Sequence, residues 1–165
     1  MDGSHGPGKL EPGAFPYELL YGAGGVPEYL RELSGQVTGD RESSSLEPAY
    51  AAIGTHEERL SSRLLSFLSS EPAVRIVGDE RPGPARLPTI SFVVDGCRSS
   101  EIPVRLDPQG IGIRWGHFYA PRLIDRLGLT QRDGVVRVSM VHYNTLEEVD
   151  RLISGLAPIL SGAAS

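Results

Sequence analysis

Hydrophobic positions recur with a helical period in two long stretches of the chain and in one weaker stretch. The clearest is LEPAYAAIGTHEERLSSRLLSFLSS, Leu46 to Ser70, whose apolar side chains fall close to a 3.6-residue spacing. The last, TLEEVDRLISGLAPIL, begins with Thr145 as the expected N-cap, and Glu148 stands at the capping-box position. A weaker pattern runs from Tyr17 to Leu33, where two glycines and a proline interrupt it.

Four short runs rich in β-branched residues lie between the two long helical patterns and predict strands. They are AVRIVG, TISFVVDG, GIGIRWG and GVVRVSMVHY. In SSEIPVRLDPQG, Pro103 and Pro108 argue against a regular helix, whereas APRLIDRLGL predicts a short helix that ends at Gly128. The order predicts an α+β fold, a two-layer sandwich of a small, mostly antiparallel sheet of about four strands covered by helices.

Composition divides the chain into three parts. Residues 1–16 form an irregular lead rich in Gly and Pro, and MDGSHG at its start has the composition of a cloning remnant. Residues 17–45 are predicted to be a helix followed by a polar linker. Residues 46–165 hold all the predicted strands and both long helical patterns, so they are expected to form the sandwich domain.

Charge and cysteine content narrow the possible functions. The formal net charge is -5 and there is no basic stripe, which argues against nucleic acid as a partner. No apolar run approaches the length of a membrane span, and one cysteine, Cys97, fits a reducing cytoplasm. The four histidines lie far apart in sequence, so no metal site is predicted. Lys9 is the only lysine beside fifteen arginines, and it alone could form a Schiff base.

The segment RVSMVHYNTLEEVD resembles the closing motif of class V aminotransferases and cysteine desulfurases, Arg-x-Ser-x-x-x-Tyr-Asn-Thr-x-Glu-Glu. Every fixed position of that motif is present. GIGIRWGHFYAPRLIDRLGL is similar to the family's strand and active-site loop, and LPTISFVVDG and KLEPGAFPYELLYGAGGVPEYL also match. The resemblance identifies residues 46–165 as the small C-terminal domain and residues 17–45 as a helical remnant of the large domain.

The resemblance also implies what a complete family member needs. Such enzymes carry a large domain that binds pyridoxal 5'-phosphate through a Schiff-base lysine. Lys9, in PGKLEPG, lies well downstream of the family's catalytic lysine, so it is not expected to serve. The resemblance therefore implies a truncated family protein that binds no cofactor alone, is inactive alone, and acts on an amino acid only when a large-domain chain complements it.

Arg137 is the main candidate binding residue. By resemblance it is the arginine that grips the substrate's α-carboxylate, a bidentate contact that a guanidinium makes and an ammonium does not. The alternative is an edge-strand arginine that pairs with a surface carboxylate.

The loop RWGHFYAPRL supplies further candidates for lining a cleft. His117 is either a general acid or substrate contact, or a solvated or hydrogen-bonded side chain. Tyr119 stands where desulfurases carry their persulfide-forming cysteine, and Cys97 is a turn cysteine elsewhere that does not replace it. Asn144 lines the cleft by resemblance, although its place in a turn is also explained by structure. Phe118 is expected to pack or to rim the cleft rather than to cage a cation.

Two positions near the start correspond to the family's phosphate-binding stretch. Gly13 could bring backbone N–H groups near a phosphate, but Ala14 stands where the family usually has a threonine whose hydroxyl reaches the cofactor of the neighbouring subunit. A plain turn is the alternative for both.

Two kinds of partner follow, a large-domain chain or further copies of this chain in a homo-oligomer. Removal of the large domain is expected to expose apolar side chains near Tyr17 to Leu33 and along Leu46 to Leu68. Other possibilities are a non-catalytic regulatory module that binds a partner protein, and a truncated product without a role.

Overall fold

The computed structural model describes residues 16–33, residue 35 and residues 45–163. The chain divides into two compact units, with the division between Ala52 and Ile53. In the first unit, helix α1 (Tyr17–Ala23) is followed by helix α2 (Val26–Leu33). The interruption predicted at the two glycines, Gly24 and Gly25, is confirmed, because the first helix ends at Ala23 and the next begins at Val26.

Helix α1 has no buried residue, as expected from the predicted exposure, whereas Leu30 of α2 is buried. Tyr21 of α1 is 89% exposed and Leu19 is 73% exposed. In α3 (Glu47–Ser70) one apolar stripe packs on the sheet, as its helical period predicts, because Leu60, Leu64 and Leu68 are fully buried. The exposure expected along this helix therefore does not extend to these leucines. They belong to the core of the second unit, so the apolar period of this helix is accounted for by packing on the sheet.

The second unit is built on a four-stranded antiparallel sheet, which confirms the predicted fold class. Its strands are β1 (Val74–Val77), β2 (Thr89–Val94), β3 (Arg114–Gly116) and β4 (Val135–Ser139). Their order across the sheet is β1-β2-β4-β3, and all three neighbouring pairs are antiparallel. Side chains alternate between the two faces, so residue pairing across the strands defines which side chains share a face.

One face of the sheet forms the main core. Ile76, Ile90, Phe92 and Val136 project from the strands into it and are at most 7% exposed. The leucines of α3 pack there together with α4 (Glu101–Leu106) and α6 (Leu146–Ala163). Burial of these side chains leaves the opposite face to carry polar groups.

Helix α4 corrects the prediction that Pro103 and Pro108 prevent a regular helix. Pro103 is the third residue of α4, in the first turn, where a backbone N–H has no intrahelical acceptor to lose. Pro108 lies in the 3₁₀ turn Asp107–Gln109 that follows directly. Both prolines therefore occupy positions that tolerate a missing donor.

The capping box of α6 is formed as predicted. The Glu148 backbone N–H donates to Thr145 Oγ1 at 3.2 Å, and the Thr145 N–H donates to Glu148 Oε2 at 3.0 Å. Hydrogen bonds from the Asn144 side chain and from the Thr145 N–H lower the pKa of Glu148, so the cap persists to acidic pH. This cap fixes the turn that joins β4 to α6.

Candidate functional site

The polar face of the sheet places three side chains in one row. Ser91 of β2 pairs with Arg137 of β4, and Arg137 pairs on its other side with Arg114 of β3. Helix α5 (Pro121–Arg126) packs on this face through a small apolar cluster: Val93, Ile124, Leu129 and Val135. The row beside that cluster stays open to solvent, with Ser91 and Arg137 half-buried and Arg114 exposed.

Arg137 lies against an aromatic ring. Its guanidinium carbon is 3.7 Å from the centroid of the Phe118 ring, within the range of a cation–π contact. Within the described residues Arg137 forms no ion pair, so the structure gives no support to the alternative of a surface salt bridge. Because the ring covers one flat face of the guanidinium, the N–H groups at its edge are left for another acceptor.

The loop after β3 brings Phe118 onto the sheet by an unusual backbone path. Phe118 and Tyr119 have φ angles of 46° and 62°, in the left-handed region that bulky residues rarely adopt. Two bonds stabilise the turn: the Ala120 N–H donates to the His117 carbonyl at 2.7 Å, and the Tyr119 N–H donates to His117 Nδ1 at 3.1 Å. The turn packs Phe118 beside the cluster under α5 and leaves Tyr119 99% exposed.

These contacts sharpen the expectations for the loop. Phe118 packs as expected, but the expectation that it does so rather than contact a cation is wrong, because its ring lies against the Arg137 guanidinium. His117 is hydrogen-bonded within the turn, which agrees with the second of its two interpretations, and its part in any reaction stays a prediction. Tyr119 has an exposed side chain in the same loop as the ring beside Arg137.

Asn144 is held in the turn between β4 and α6. Its Oδ1 accepts from the Val141 N–H at 2.9 Å, and its side-chain amide donates to Glu148 Oε2 at 3.0 Å. A cavity of about 180 Å³ lies next to it, between the segment leading into β3 and the start of α6; Ser139, Met140 and Glu148 are among its lining residues. The structural explanation of Asn144 is therefore sufficient, while its role in lining a cleft stays a prediction.

Cys97 lies on the other side of the sheet from Arg137. It packs against the main core and its Sγ donates to Glu101 Oε2 at 3.4 Å. Burial raises the pKa of the Cys97 thiol, and the hydrogen bond to the Glu101 carboxylate raises it further. A thiol that resists ionisation on the wrong face cannot supply the nucleophile that the loop lacks.

Arg114 is the residue that sequence reasoning missed. It is the first residue of β3, and its guanidinium donates to the Ile113 carbonyl at 3.2 Å. Two arginines directly opposite each other on neighbouring strands are visible only from the register of β3 against β4. The alternation of side chains within RWG could have indicated the face of the sheet on which Arg114 lies. It could not have indicated that β4, with Arg137, is the neighbouring strand.

The cofactor candidates cannot be placed. Gly13, Ala14 and Lys9 lie outside the described residues, and the described part of the chain contains no lysine. The described residues therefore offer no lysine amine for a Schiff base with pyridoxal phosphate, and they do not fit that cofactor by themselves. The described segments also hold no cluster of His, Cys, Asp and Glu that could bind a metal ion.

The fold and the site together define a class of protein, an α+β sandwich domain with a guanidinium on one face of its sheet that contacts an aromatic ring. The defining pattern of the aminotransferase class-V family matches residues 46–152, which is more than half of the chain. The chain belongs to this family.

The known relatives are longer than this chain. The chain is 39% identical over 155 residues to an aminotransferase-like protein, FGM3, of Gibberella zeae, covering 92% of this chain and 35% of that protein. It is 31% identical over 147 residues to a probable cysteine desulfurase of Pseudomonas putida, covering 89% of this chain and 31% of that protein. The chain thus spans about a third of the length of these relatives.

Solved structures agree with the fold. The apo cysteine desulfurase of Thermococcus onnurineus matches with a TM-score of 0.61 and 28% identity over 68% of this chain and 27% of that one. Escherichia coli cysteine desulfurase CsdA matches with a TM-score of 0.69 over 94% of this chain and 33% of that one. Its 23% identity supports the fold alone. In the described ranges, no helix is both long and apolar enough to cross a bilayer.

Proposed function

We propose that this chain supplies the carboxylate-binding half of a desulfurase-like class V enzyme, and that Arg137 binds the α-carboxylate of an amino acid. The observation that carries this proposal is the state of the Arg137 guanidinium, which is stacked on Phe118 and forms no ion pair within the described residues. Without a carboxylate partner in the described part of its own chain, the guanidinium keeps N–H donors for a ligand.

The ring contact suits carboxylate binding for a geometric reason. A carboxylate approaches a guanidinium in its plane and accepts two parallel hydrogen bonds, whereas an aromatic ring contacts the flat face. Phe118 can therefore hold the Arg137 side chain in place without occupying the edge that a ligand needs. Holding a long side chain in advance reduces the conformational entropy lost on binding.

Sulfur transfer is not part of the proposal. The loop carries Tyr119 where desulfurases carry their cysteine, and a phenol does not form a persulfide. Cys97 is on the other face with a raised pKa. The reactions that remain are those of amino acids without a protein thiol, such as transamination, elimination or racemisation.

The cofactor in this proposal comes from elsewhere. Members of the family are pyridoxal-phosphate enzymes, and the described residues of this chain contain no lysine to hold that cofactor. When bound, the cofactor would supply the electron sink for amino-acid chemistry, while this chain binds and orients the carboxylate. A large-domain segment must therefore complete the enzyme, in the cytoplasm that the single cysteine favours.

A second candidate function is a regulatory module that binds a partner protein or further copies of this chain. The exposed apolar side chains of α1 favour it: Tyr17, Leu19 and Leu20 are each more than half exposed, and Tyr21 is almost fully exposed. Exposed apolar residues clustered in one short helix are typical of interaction surfaces. Recovery of a full-length class V enzyme bound to the purified chain would support this second candidate.

The first candidate is tested by titrating the ¹⁵N-labelled chain with acetate and following the arginine Nε–Hε resonances by NMR. We expect the Arg137 resonance to move and to approach saturation only at acetate concentrations of about 0.2 M or above, because a net contribution of about 1 kcal/mol from one exposed bidentate contact corresponds to a Kd of that order. Arg137→Gln should abolish the saturable shift.

Arg75→Gln is the matched control, since Arg75 is an exposed arginine on the edge strand β1 of the same sheet. This variant should titrate as the unaltered chain does. An Arg137 resonance that stays fixed while other arginines respond would contradict the proposal.

A further inference from the structure

The row of polar residues holds a second guanidinium beside Arg137, which bears on the class of substrate. Arg114 and Arg137 are direct partners in the pairing of β3 with β4, so their side chains project from the same face. Residues directly opposite in an antiparallel pair have Cα atoms roughly 4.5–5.5 Å apart. Both charges therefore start from neighbouring points on an open face of the sheet.

Two like charges in this position oppose folding rather than assist it. Neither Arg114 nor Arg137 forms an ion pair with a carboxylate in the described part of the chain. Asp125, the one carboxylate of α5, accepts a hydrogen bond from the Thr130 hydroxyl at 3.4 Å. The repulsion is therefore not relieved by described neighbours, and an anionic ligand would relieve it.

The two guanidiniums are held by separate contacts. Arg137 is seated on the Phe118 ring, and Arg114 donates one N–H to the Ile113 carbonyl. Each has further N–H donors available, because a guanidinium carries five. Because each guanidinium is held in place separately, the pair fits two anionic groups on one short ligand better than one anionic group bound by both arginines.

From this arrangement we infer that the substrate is an amino acid with an acidic side chain, its α-carboxylate on Arg137 and its side-chain carboxylate on Arg114. The inference rests on the proposed function of Arg137 and adds the specificity-determining residue Arg114. Glutamate and aspartate are the chemical class, with both carboxylates separated by a short chain.

The test compares L-aspartate with L-asparagine, which has nearly the same shape and lacks one negative charge. Both amino acids are titrated into the ¹⁵N-labelled chain and followed at the arginine Nε–Hε resonances. We expect L-aspartate to bind about fivefold more tightly, which corresponds to about 1 kcal/mol for one additional exposed ion pair. In Arg114→Gln the ratio of the two affinities should fall to about one.

Conservative and control variants separate charge from structure. Arg114→Lys should keep most of the preference, because it retains the positive charge, and Arg75→Gln should keep all of it. Circular dichroism and the amide spectrum check that Arg114→Gln still folds, which is the expected result for an exposed residue.

The outcomes distinguish the two claims. Equal binding of both amino acids, lost in Arg137→Gln, would overturn the acidic-substrate inference and leave the proposed function intact. Absence of saturable binding by either amino acid would overturn both. Inorganic phosphate that binds more tightly than L-aspartate would also overturn the inference, because it would assign the arginine pair to a single phosphate group.

Discussion

Gly134→Ala is expected to reduce the free energy of unfolding of the chain by about 3 kcal/mol or more. Gly134 precedes β4 with φ of +81°, and a Cβ at this position would clash with the backbone carbonyl of Gly116. Because the obstructing atom belongs to the backbone of β3, it cannot turn aside as a flexible side chain would. The substitution should therefore separate β3 from β4 as well as strain the turn.

Gly128→Ala provides the matched control for strain without a clash. Gly128 has φ of +69°, but a Cβ there meets no atom within 4 Å. It should cost only about 1 kcal/mol, the penalty of a left-handed conformation for alanine. Urea unfolding of both variants measures the difference, and similar losses would show that the approach of β3 to β4 is looser than described.

Tyr119→Cys is expected to react with a thiol reagent at least about tenfold faster than the native cysteine of the chain. The side chain of residue 119 is 99% exposed, whereas Cys97 is half-buried and hydrogen-bonded to Glu101. Burial raises the pKa of Cys97, so its reactive thiolate is scarce at neutral pH, while an exposed thiol keeps its ordinary pKa. The rate of iodoacetamide labelling, followed by mass spectrometry, gives the comparison.

Tyr119→Ser is the control, because it alters the same position and leaves Cys97 as the only thiol. Its labelling should match that of the unaltered chain. If labelling of the Tyr119→Cys variant were no faster than that of Cys97, the loop would not present residue 119 to solvent. Placing a cysteine at this one position would then not be enough to give the loop a reactive thiol.

Local signals in the sequence predicted those parts of the fold that depend on local interactions. The capping box of Thr145 and Glu148 and the break at Gly24 and Gly25 involve residues a few positions apart, and both are confirmed. The four strands and their α+β arrangement followed from alternation and order. Helix α4 was the exception, because the position of Pro103 within the first turn decides whether proline is tolerated.

The candidate site depended on contacts between residues distant in sequence, and these were harder to predict. Arg137 could be named from its motif, but Phe118 reaches it only because two residues of the loop adopt left-handed conformations. Arg114 became a candidate only when the register of β3 placed it opposite Arg137. Register and loop conformation are properties of the assembled sheet, which no local pattern encodes.

Several expectations stay predictions. Gly13 and Ala14 lie outside the described residues, and their relation to a phosphate stays a prediction. So do the division at residues 16 and 45, the cytoplasmic location, and the oligomer or large-domain partner. None of them affects the geometry of the row formed by Ser91, Arg137 and Arg114.

A crystal structure of the chain grown with propionate tests the central claim most directly. The account predicts the carboxylate of propionate in the plane of the Arg137 guanidinium, with two N–H···O contacts of about 2.8 Å and the Phe118 ring still on the flat face. A guanidinium that instead pairs with a carboxylate of its own chain, with propionate absent from this face of the sheet, would contradict it.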